Sequence, residues 1–170
     1  MSKPLKAFDI EFVKLGQDEY WFDFDINNDF FEAFESSLTA EDLKLKLSFT
    51  KGSNTFKLLF LLEGKVNLDC DRCLSPISLP IKSSNLLMVK ITENLLEDQD
   101  DIIYMLPSEY KINIAQPLFD FILISLPIKS TCDMVGKVCD SAITGKITDV
   151  IDIEMQAADA ERATDFEEEE

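Results

Sequence analysis

The feature that most constrains the fold is a strict alternation of apolar and polar residues on one side of a short turn. The alternating apolar residues are Leu43, Leu45, Leu47 and Phe49. The turn sequence Lys51-Gly52-Ser53-Asn54 follows, and apolar residues resume from residue 56 to residue 62. Period-two alternation is typical of a strand with one buried face, and a glycine-containing turn between two such segments favours a hairpin. This is the clearest β-hairpin in the sequence.

The same pattern predicts strands on both sides of the hairpin. Residues 6–14 and 19–26 each place apolar side chains on one side of an extended segment. Gly64 is expected to allow another tight reversal before the chain reaches Cys70. Further strands are predicted around residues 79–81, 86–91 and 102–105, with the acidic residues 93–101 forming a solvated loop.

Two segments have helical spacing instead. A run of phenylalanines after residue 29 has one-turn spacing, and Asn28 or Asp29 would cap that helix. Residues 114–125 place apolar side chains on one helical face and end before Leu126-Pro127. Six or more β segments without regular strand and helix alternation predict an α+β fold. We expect a mostly antiparallel β-sheet, or a small and partly open barrel, with two or three helices.

Length and charge limit the domain organisation and the partners. The chain has 170 residues, which fits one domain, and we place that domain at residues 1–151. Residues 152–170 are acidic around the single basic residue Arg162, and we expect a disordered tail. The net charge of -17 repels nucleic-acid phosphates and anionic membranes and favours a basic partner. Neither DNA binding nor membrane binding is expected.

The apolar segments do not predict export or membrane insertion. Residues 1–12 mix charged and apolar side chains, unlike the apolar core of a secretory signal. The longest apolar runs, 58–62 and 121–124, are far shorter than the roughly 18 residues that span a bilayer. We therefore expect a cytoplasmic protein, whose four cysteines favour metal ligation or free thiols over disulfides.

The residue types present exclude several enzyme classes. The sequence contains no histidine, so the usual Ser-His-Asp and Cys-His mechanisms cannot be assembled from this chain. It also lacks the glycine-rich motifs that bind nucleotide phosphates. A catalytic pair of carboxylates remains open, although most acidic residues fall where solvated surface is expected. We expect a protein that is not an enzyme.

The cysteines form the one chemically distinctive pattern. Cys70 and Cys73 have the spacing of a zinc knuckle, in which two intervening residues let both thiolates turn towards one ion. Cys132 and Cys139 flank Gly136 and could complete a tetrahedral zinc site, although six intervening residues exceed the usual two to four.

Two alternatives to zinc remain open. The first pair could be a redox-active dithiol, but such a motif normally opens a helix, whereas Leu74-Ser75-Pro76 leads into an extended segment. The cysteines could also be small buried hydrophobic residues or unreactive thiols.

Several of these segments together resemble the YceD family of large ribosomal RNA subunit accumulation proteins. They are residues 66–77 (VNLDCDRCLSPI), the acidic loop, and a helix closing in ILISLPIK ahead of further cysteines. The matching residues are Leu68, Cys70, Arg72, Cys73, Leu74, Leu126, Pro127, Cys132 and Cys139, and the resemblance covers most of residues 8–139. It implies a non-enzymatic role in large-subunit ribosomal RNA accumulation or processing and in ribosome assembly. It also implies that the four cysteines share one site.

The charge and the resemblance together predict basic ribosomal or RNA-processing proteins as partners. Direct contact with large-subunit ribosomal RNA would need a basic surface, for which Lys44, Lys46, Lys51 and Arg72 are the candidates, against the interpretation that they only solvate the surface. The competing functions are a cysteine-dependent thiol oxidoreductase and a zinc-bearing protein-interaction module unrelated to ribosomes.

Overall fold

The computed structural model describes residues 3–93, 101–143 and 145. The strands and α-helices are β1 (Asp9–Ile10), β2 (Glu19–Ile26), α1 (Asn28–Ala33), β3 (Thr39–Lys51), β4 (Thr55–Asp69), β5 (Pro76–Ile91), β6 (Ile102–Met105), β7 (Ile112–Asn113) and α2 (Ala115–Ser125). Short 3-10 helices cover Lys3–Phe8, Phe12–Lys14 and Cys132–Val135, and residues 141–143 are also helical. None of the helices in the described ranges is long and apolar enough to cross a membrane.

Five strands form the main sheet, in the order β2-β3-β4-β5-β6. The β2–β3 and β3–β4 pairs are antiparallel, and β6 runs parallel to β5. A second, two-stranded sheet pairs β1 with β7. The predicted α+β class is confirmed. Of the two predicted architectures the structure has the open sheet, because β2 and β6 are its edges and do not pair with each other in the described part of the chain.

The predicted hairpin is β3 and β4. Its turn is closed by the backbone N–H of Gly52, which donates to the carbonyl of Thr55 over 2.9 Å. The alternating apolar residues of β3 are all buried, as are Phe56, Leu58, Phe60 and Leu62 on β4. Burying this many apolar side chains on one face fixes the register, because a slip of one residue would turn all of them towards solvent.

Gly64 does not reverse the chain, so that prediction was wrong. It lies inside β4, opposite a shift in register between Glu41 and Lys44 on β3. Its φ is 152°, and a Cβ there would lie 2.5 Å from the carbonyl oxygen of Asp42 and from the Cα of Leu43. Glycine is needed for a close approach of two backbones rather than for a turn. The chain reverses at the first cysteine pair instead.

The prediction of a strand over residues 6–14 was also wrong. Only Asp9–Ile10 are extended, between two 3-10 helices, although Phe8, Ile10 and Phe12 are buried as the alternation indicated. The strand is short because its partner, β7, offers only two residues for pairing.

Both helices were predicted, with one correction. The N-cap of α1 is Asn27, not Asn28 or Asp29, and its side-chain oxygen accepts a hydrogen bond from the Phe30 N–H over 3.2 Å. α2 begins and ends within a residue of the predicted helix and caps at Leu126.

The later strands were also found, with one merged pair. Two predicted strands around residues 79–81 and 86–91 form the single strand β5, and β6 is found as predicted. Residues 94–100 of the predicted loop and the predicted tail at 152–170 lie outside the described residues.

The chain divides into two compact units, Met1–Leu68 with Ser78–Ile128, and Asp69–Ile77 with Lys129–Glu170. The first unit contains the apolar core, whose largest fully buried side chains are Phe30, Phe31, Phe49, Phe56 and Phe60. Aromatic rings pack edge-on or stacked throughout this core, including a stacked pair between Phe34 and Phe119 with ring centroids 4.3 Å apart. The second unit contains all four cysteines.

Candidate metal centre

Cys70 and Cys73 lie in a tight turn directly after β4. The backbone N–H of Cys70 donates to the Ser75 carbonyl, and that of Leu74 donates to the Cys70 carbonyl, each over 2.9 Å. The Arg72 N–H donates to the sulfur of Cys70 over 3.4 Å. These bonds place both sulfurs on the same side of the turn, as expected of a metal-binding knuckle.

Cys132 and Cys139 are brought together by a compact turn. Cys132 opens a 3-10 helix, which ends at Gly136 with a left-handed φ of 69°. The N–H of Lys137 then donates back to the Cys132 carbonyl over 2.9 Å. Glycine adopts this φ without steric cost, and the turn explains how six intervening residues can still place two sulfurs side by side.

A pair of hydrogen bonds joins the two cysteine segments. The N–H of Asp71 donates to the Ser130 carbonyl over 2.8 Å. In return, the N–H of Ser130 donates to the Asp71 carboxylate over 2.5 Å. Ser130 is buried, and nothing in its sequence context marked it as part of the site.

The four sulfurs form a compact cluster. The sulfurs of Cys73 and Cys132 are 3.5 Å apart, and those of Cys70 and Cys139 are 3.8 Å apart. All four lie within 4.8 Å of one another and could hold a metal ion. Zinc–sulfur bonds of about 2.3 Å in a tetrahedron separate sulfurs by about 3.8 Å, so the cluster has the dimensions of a zinc site. The separations are far longer than the roughly 2.05 Å of a disulfide, and all four cysteines are free.

The surroundings of the four thiols shift their pKa values in different directions. Hydrogen bonds from the Ser75 side chain and backbone, followed by the backbone of Asp140, lower the pKa of Cys73 to about 6. Burial raises the pKa of the Cys70 thiol, but backbone hydrogen bonds from Arg72, Cys73 and Cys132 outweigh it and the pKa is lowered.

The other two thiols are shifted in the opposite direction. Burial is the largest cause that raises the pKa of Cys132 to about 12, and the hydrogen bond with the Cys73 thiol is the next. Burial also raises the pKa of Cys139, and the hydrogen bond with the Cys73 side chain adds to this effect. Four adjacent thiolates repel one another and disfavour full ionisation, whereas a divalent cation at their centre would stabilise all four.

The described part of the second unit has little apolar interior. Its buried residues are Cys70, Cys73, Ile77, Ser130 and Cys132. A segment with so few buried apolar side chains gains little stability from the hydrophobic effect, and small units of this kind usually need a metal or disulfides. The donor set and the scarcity of core residues both fit a structural metal ion.

The lysines considered for RNA contact do not form one basic surface. Lys51 Nζ donates to the carbonyls of Phe12 and Leu15 over 2.8 and 2.7 Å, so it ties down the N-terminal segment. Lys46 lies over the Trp21 ring, 5.1 Å from its centroid.

The remaining lysines share their surroundings with carboxylates. A cavity of about 820 Å³ is lined by Lys44, Lys46 and Lys82, but also by Asp23, Asp25, Asp42 and Glu63. Acidic groups therefore outnumber basic ones at this surface, which does not favour phosphate binding. Arg72, the fourth candidate, is exposed in the first knuckle.

Comparison with known proteins identifies a protein family. A family model described as large ribosomal RNA subunit accumulation protein YceD matches residues 59–167, a span that contains all four cysteines. Neither curated proteins nor solved structures gave a match to this chain.

Proposed function

The chain belongs to the YceD family of large ribosomal RNA subunit accumulation proteins, and on that basis we propose that it is a non-enzymatic factor in ribosome assembly. In this role it supports the accumulation or processing of large-subunit ribosomal RNA. The family match over residues 59–167 carries the proposal. A cytoplasmic location is part of it, since assembly requires access to newly made ribosomal RNA and proteins.

The proposed partners are basic ribosomal or RNA-processing proteins. The net charge of -17 attracts such proteins over long range and steers them to the surface. Direct contact with ribosomal RNA is the less favoured mode, because the lysines on the outer face of the sheet are interspersed with carboxylates. The proposal involves neither DNA nor membrane.

We further propose that Cys70, Cys73, Cys132 and Cys139 bind one zinc ion with a structural role. The main supporting observation is that four sulfurs from two distant segments lie within 4.8 Å of one another. Four protein ligands would leave no open coordination position, which is typical of structural rather than catalytic zinc. The thiol oxidoreductase fits less well, because Cys70 and Cys73 are almost completely buried, whereas reactive dithiols are partly exposed.

Depletion followed by ribosome sedimentation tests the assembly role. Loss of the protein is expected to lower large-subunit particles and their RNA relative to the small subunit, and the wild-type chain should restore both. Unchanged particle and RNA levels after depletion would refute the proposed function.

Affinity purification tests the partner class. Basic ribosomal or processing proteins are expected to be retained after ribonuclease treatment and to be released as salt rises. Recovery of RNA alone would contradict a protein partner, and salt-independent retention would contradict steering by charge.

Metal analysis tests the zinc site. Protein purified under reducing conditions is expected to hold about one equivalent of zinc, lost in Cys73→Ser and kept in the exposed control Ser84→Ala. A metal-free protein whose Cys70 and Cys73 cycle with thioredoxin would favour the oxidoreductase instead.

A further inference from the structure

The main sheet has one long edge without a partner strand. β2 pairs with β3 over eight consecutive residues without a register shift, and no strand in the described ranges pairs with its other side. An edge strand of this kind leaves alternate backbone N–H and C=O groups unpaired. The opposite edge, β6, has only four residues, so β2 offers the longer template.

β2 carries exposed acidic side chains but lacks other features that usually protect an edge. Its sequence, EYWFDFDI, contains neither proline nor lysine, and its continuous register with β3 contains no bulge. Phe22 and Phe24 remain only partly buried although they lie on the apolar face. Proteins normally block long regular edges with such features because an open edge recruits further strands. Without proline, lysine or a bulge, β2 is suited to adding a strand whose charge complements its acidic side chains.

The charges on this strand select the partner. Asp23 and Asp25 are exposed and form no ion pair within the described residues. Lys46, opposite Asp23 in the register, lies over Trp21 instead. Two unpaired carboxylates beside an open edge attract cationic side chains and repel both phosphates and a second copy of the same edge.

A cavity at the same strand has matching chemistry. It has a volume of about 330 Å³ and is lined by residues that include Asp23, Asp25, Asp29, Phe8, Phe24 and Phe30. No lysine or arginine lines it. A lysine or arginine side chain suits such a site. Its aliphatic stem and its charge can contact the aromatic rings, and the acidic residues of the lining favour a positive charge.

We propose that the open edge of β2 binds an extended, lysine- or arginine-rich segment of a partner protein by strand addition. Backbone hydrogen bonds to the edge supply affinity, and basic side chains contacting Asp23, Asp25 and Asp29 supply selectivity. This inference rests on the proposed function, because it identifies where the basic assembly partner would bind.

A peptide pair tests the backbone component. The probe is an eight-residue peptide of alternating lysine and valine, matched in length to β2, and the control is the same peptide with alternate backbone nitrogens methylated. The unmodified peptide is expected to bind at least about tenfold tighter and to protect amides of residues 19–26 from hydrogen exchange. Equal binding of the two peptides would overturn strand addition, because their charges are identical.

A pair of double variants tests the charge component. Asp23→Asn with Asp25→Asn is expected to weaken binding of the unmodified peptide about three- to tenfold. Asp101→Asn with Asp120→Asn makes the same change in net charge at exposed positions outside β2 and should change binding less than about twofold. Equal weakening in both double variants would overturn β2 as the site.

The same variants separate this inference from the proposed function. If Asp23→Asn with Asp25→Asn still retains basic ribosomal proteins at the wild-type level, the β2 site is wrong while the assembly role stands. If depletion leaves large-subunit RNA unchanged, the assembly role is wrong, regardless of whether the peptide binds. Protection of residues 19–26 by a uridine oligonucleotide rather than by the peptide would overturn the choice of a protein partner.

Discussion

At the scale of single residues, Gly64 lies very close to the backbone of the neighbouring strand. It faces a bulge of β3 in which Asp42 has a left-handed φ of 53°, a conformation that aspartate tolerates better than most residues. Gly64 itself has a φ of 152°. The bulge and the glycine therefore depend on each other, because no side chain fits between the two strands at this point.

Replacing Gly64 with alanine should destabilise the protein by about 2 kcal/mol or more, since the added Cβ meets backbone atoms and the φ becomes strained. Urea unfolding measures the change. Gly145→Ala is the control, because a Cβ at residue 145 meets nothing within 4 Å. An unfolding free energy for Gly64→Ala equal to that of the control would contradict the close approach.

A second residue-scale feature is the ion pair that holds β1 against the segment around β7. Lys111 Nζ donates to the Asp9 carboxylate over 2.6 Å, and the Asn113 side chain donates to the same carboxylate over 2.7 Å. These hydrogen bonds hold the pKa of Asp9 below its ordinary value of 3.8, and the bond from Lys111 has the largest effect. The bond to Asp9 in turn raises the pKa of Lys111 above 10.5.

The depressed pKa of Asp9 gives its contribution to stability a defined pH window. That contribution should be complete above pH 3.8, the ordinary value, and be lost as the pH falls through the lower folded-state pKa. Asp9→Asn should therefore be less stable than wild type at neutral pH, with the difference shrinking below that value. Urea unfolding from neutral pH to about pH 3 measures it; a pH-independent difference would assign the loss to packing.

At the scale of elements, local capping stabilises the short helix α1, whereas pairing between strands stabilises the main sheet. α1 has only six residues, too few to be stable alone, so its cap and its buried phenylalanines determine whether it forms. β3 and β4 instead depend on each other, because each buries alternate side chains and supplies the backbone partners of the other.

Asn27→Ala should destabilise the protein by about 1 kcal/mol, because the Phe30 N–H would lose its side-chain acceptor. Asn27→Asp keeps an acceptor and should restore most of the stability. Thermal unfolding of both variants measures the effect. Equal losses in both variants would show that the cap hydrogen bond is not the cause.

At the scale of the whole molecule, the two units differ in what holds them together. The first has a large core of phenylalanine and leucine side chains. The described part of the second has cysteines in place of such a core. A metal ion bound by four cysteines would therefore contribute most of the folding free energy of the second unit, and little of that of the first.

Chelation of the proposed zinc ion should accordingly increase hydrogen exchange in the second unit and leave it unchanged in the first. Amides of residues 130–139 are expected to lose protection from hydrogen exchange, while amides of β3 and β4 keep it. Exchange measured by mass spectrometry before and after chelation tests this, and Cys73→Ser should reproduce the chelated pattern. Loss of protection in β3 and β4 as well would show that the metal supports the whole fold.

The sequence by itself determined the features that depend on local pattern. Alternation fixed the β3–β4 hairpin, since only one register buries Leu43 to Phe49 together. Helical spacing located α2, and the Cys70–Cys73 interval indicated a knuckle that the structure forms. These features follow from neighbours within a few residues of one another.

Only the tertiary structure decided the features that depend on distant partners. Gly64 and Lys51 each have a local context typical of a turn, but Gly64 accommodates another strand and Lys51 binds carbonyls of the N-terminal segment. Likewise, Cys132 and Cys139 were predicted as ligands despite an interval wider than usual, and a 3-10 turn brings them beside the first pair. The physical reason is the same each time, because the atoms that give these residues their roles lie far away in sequence.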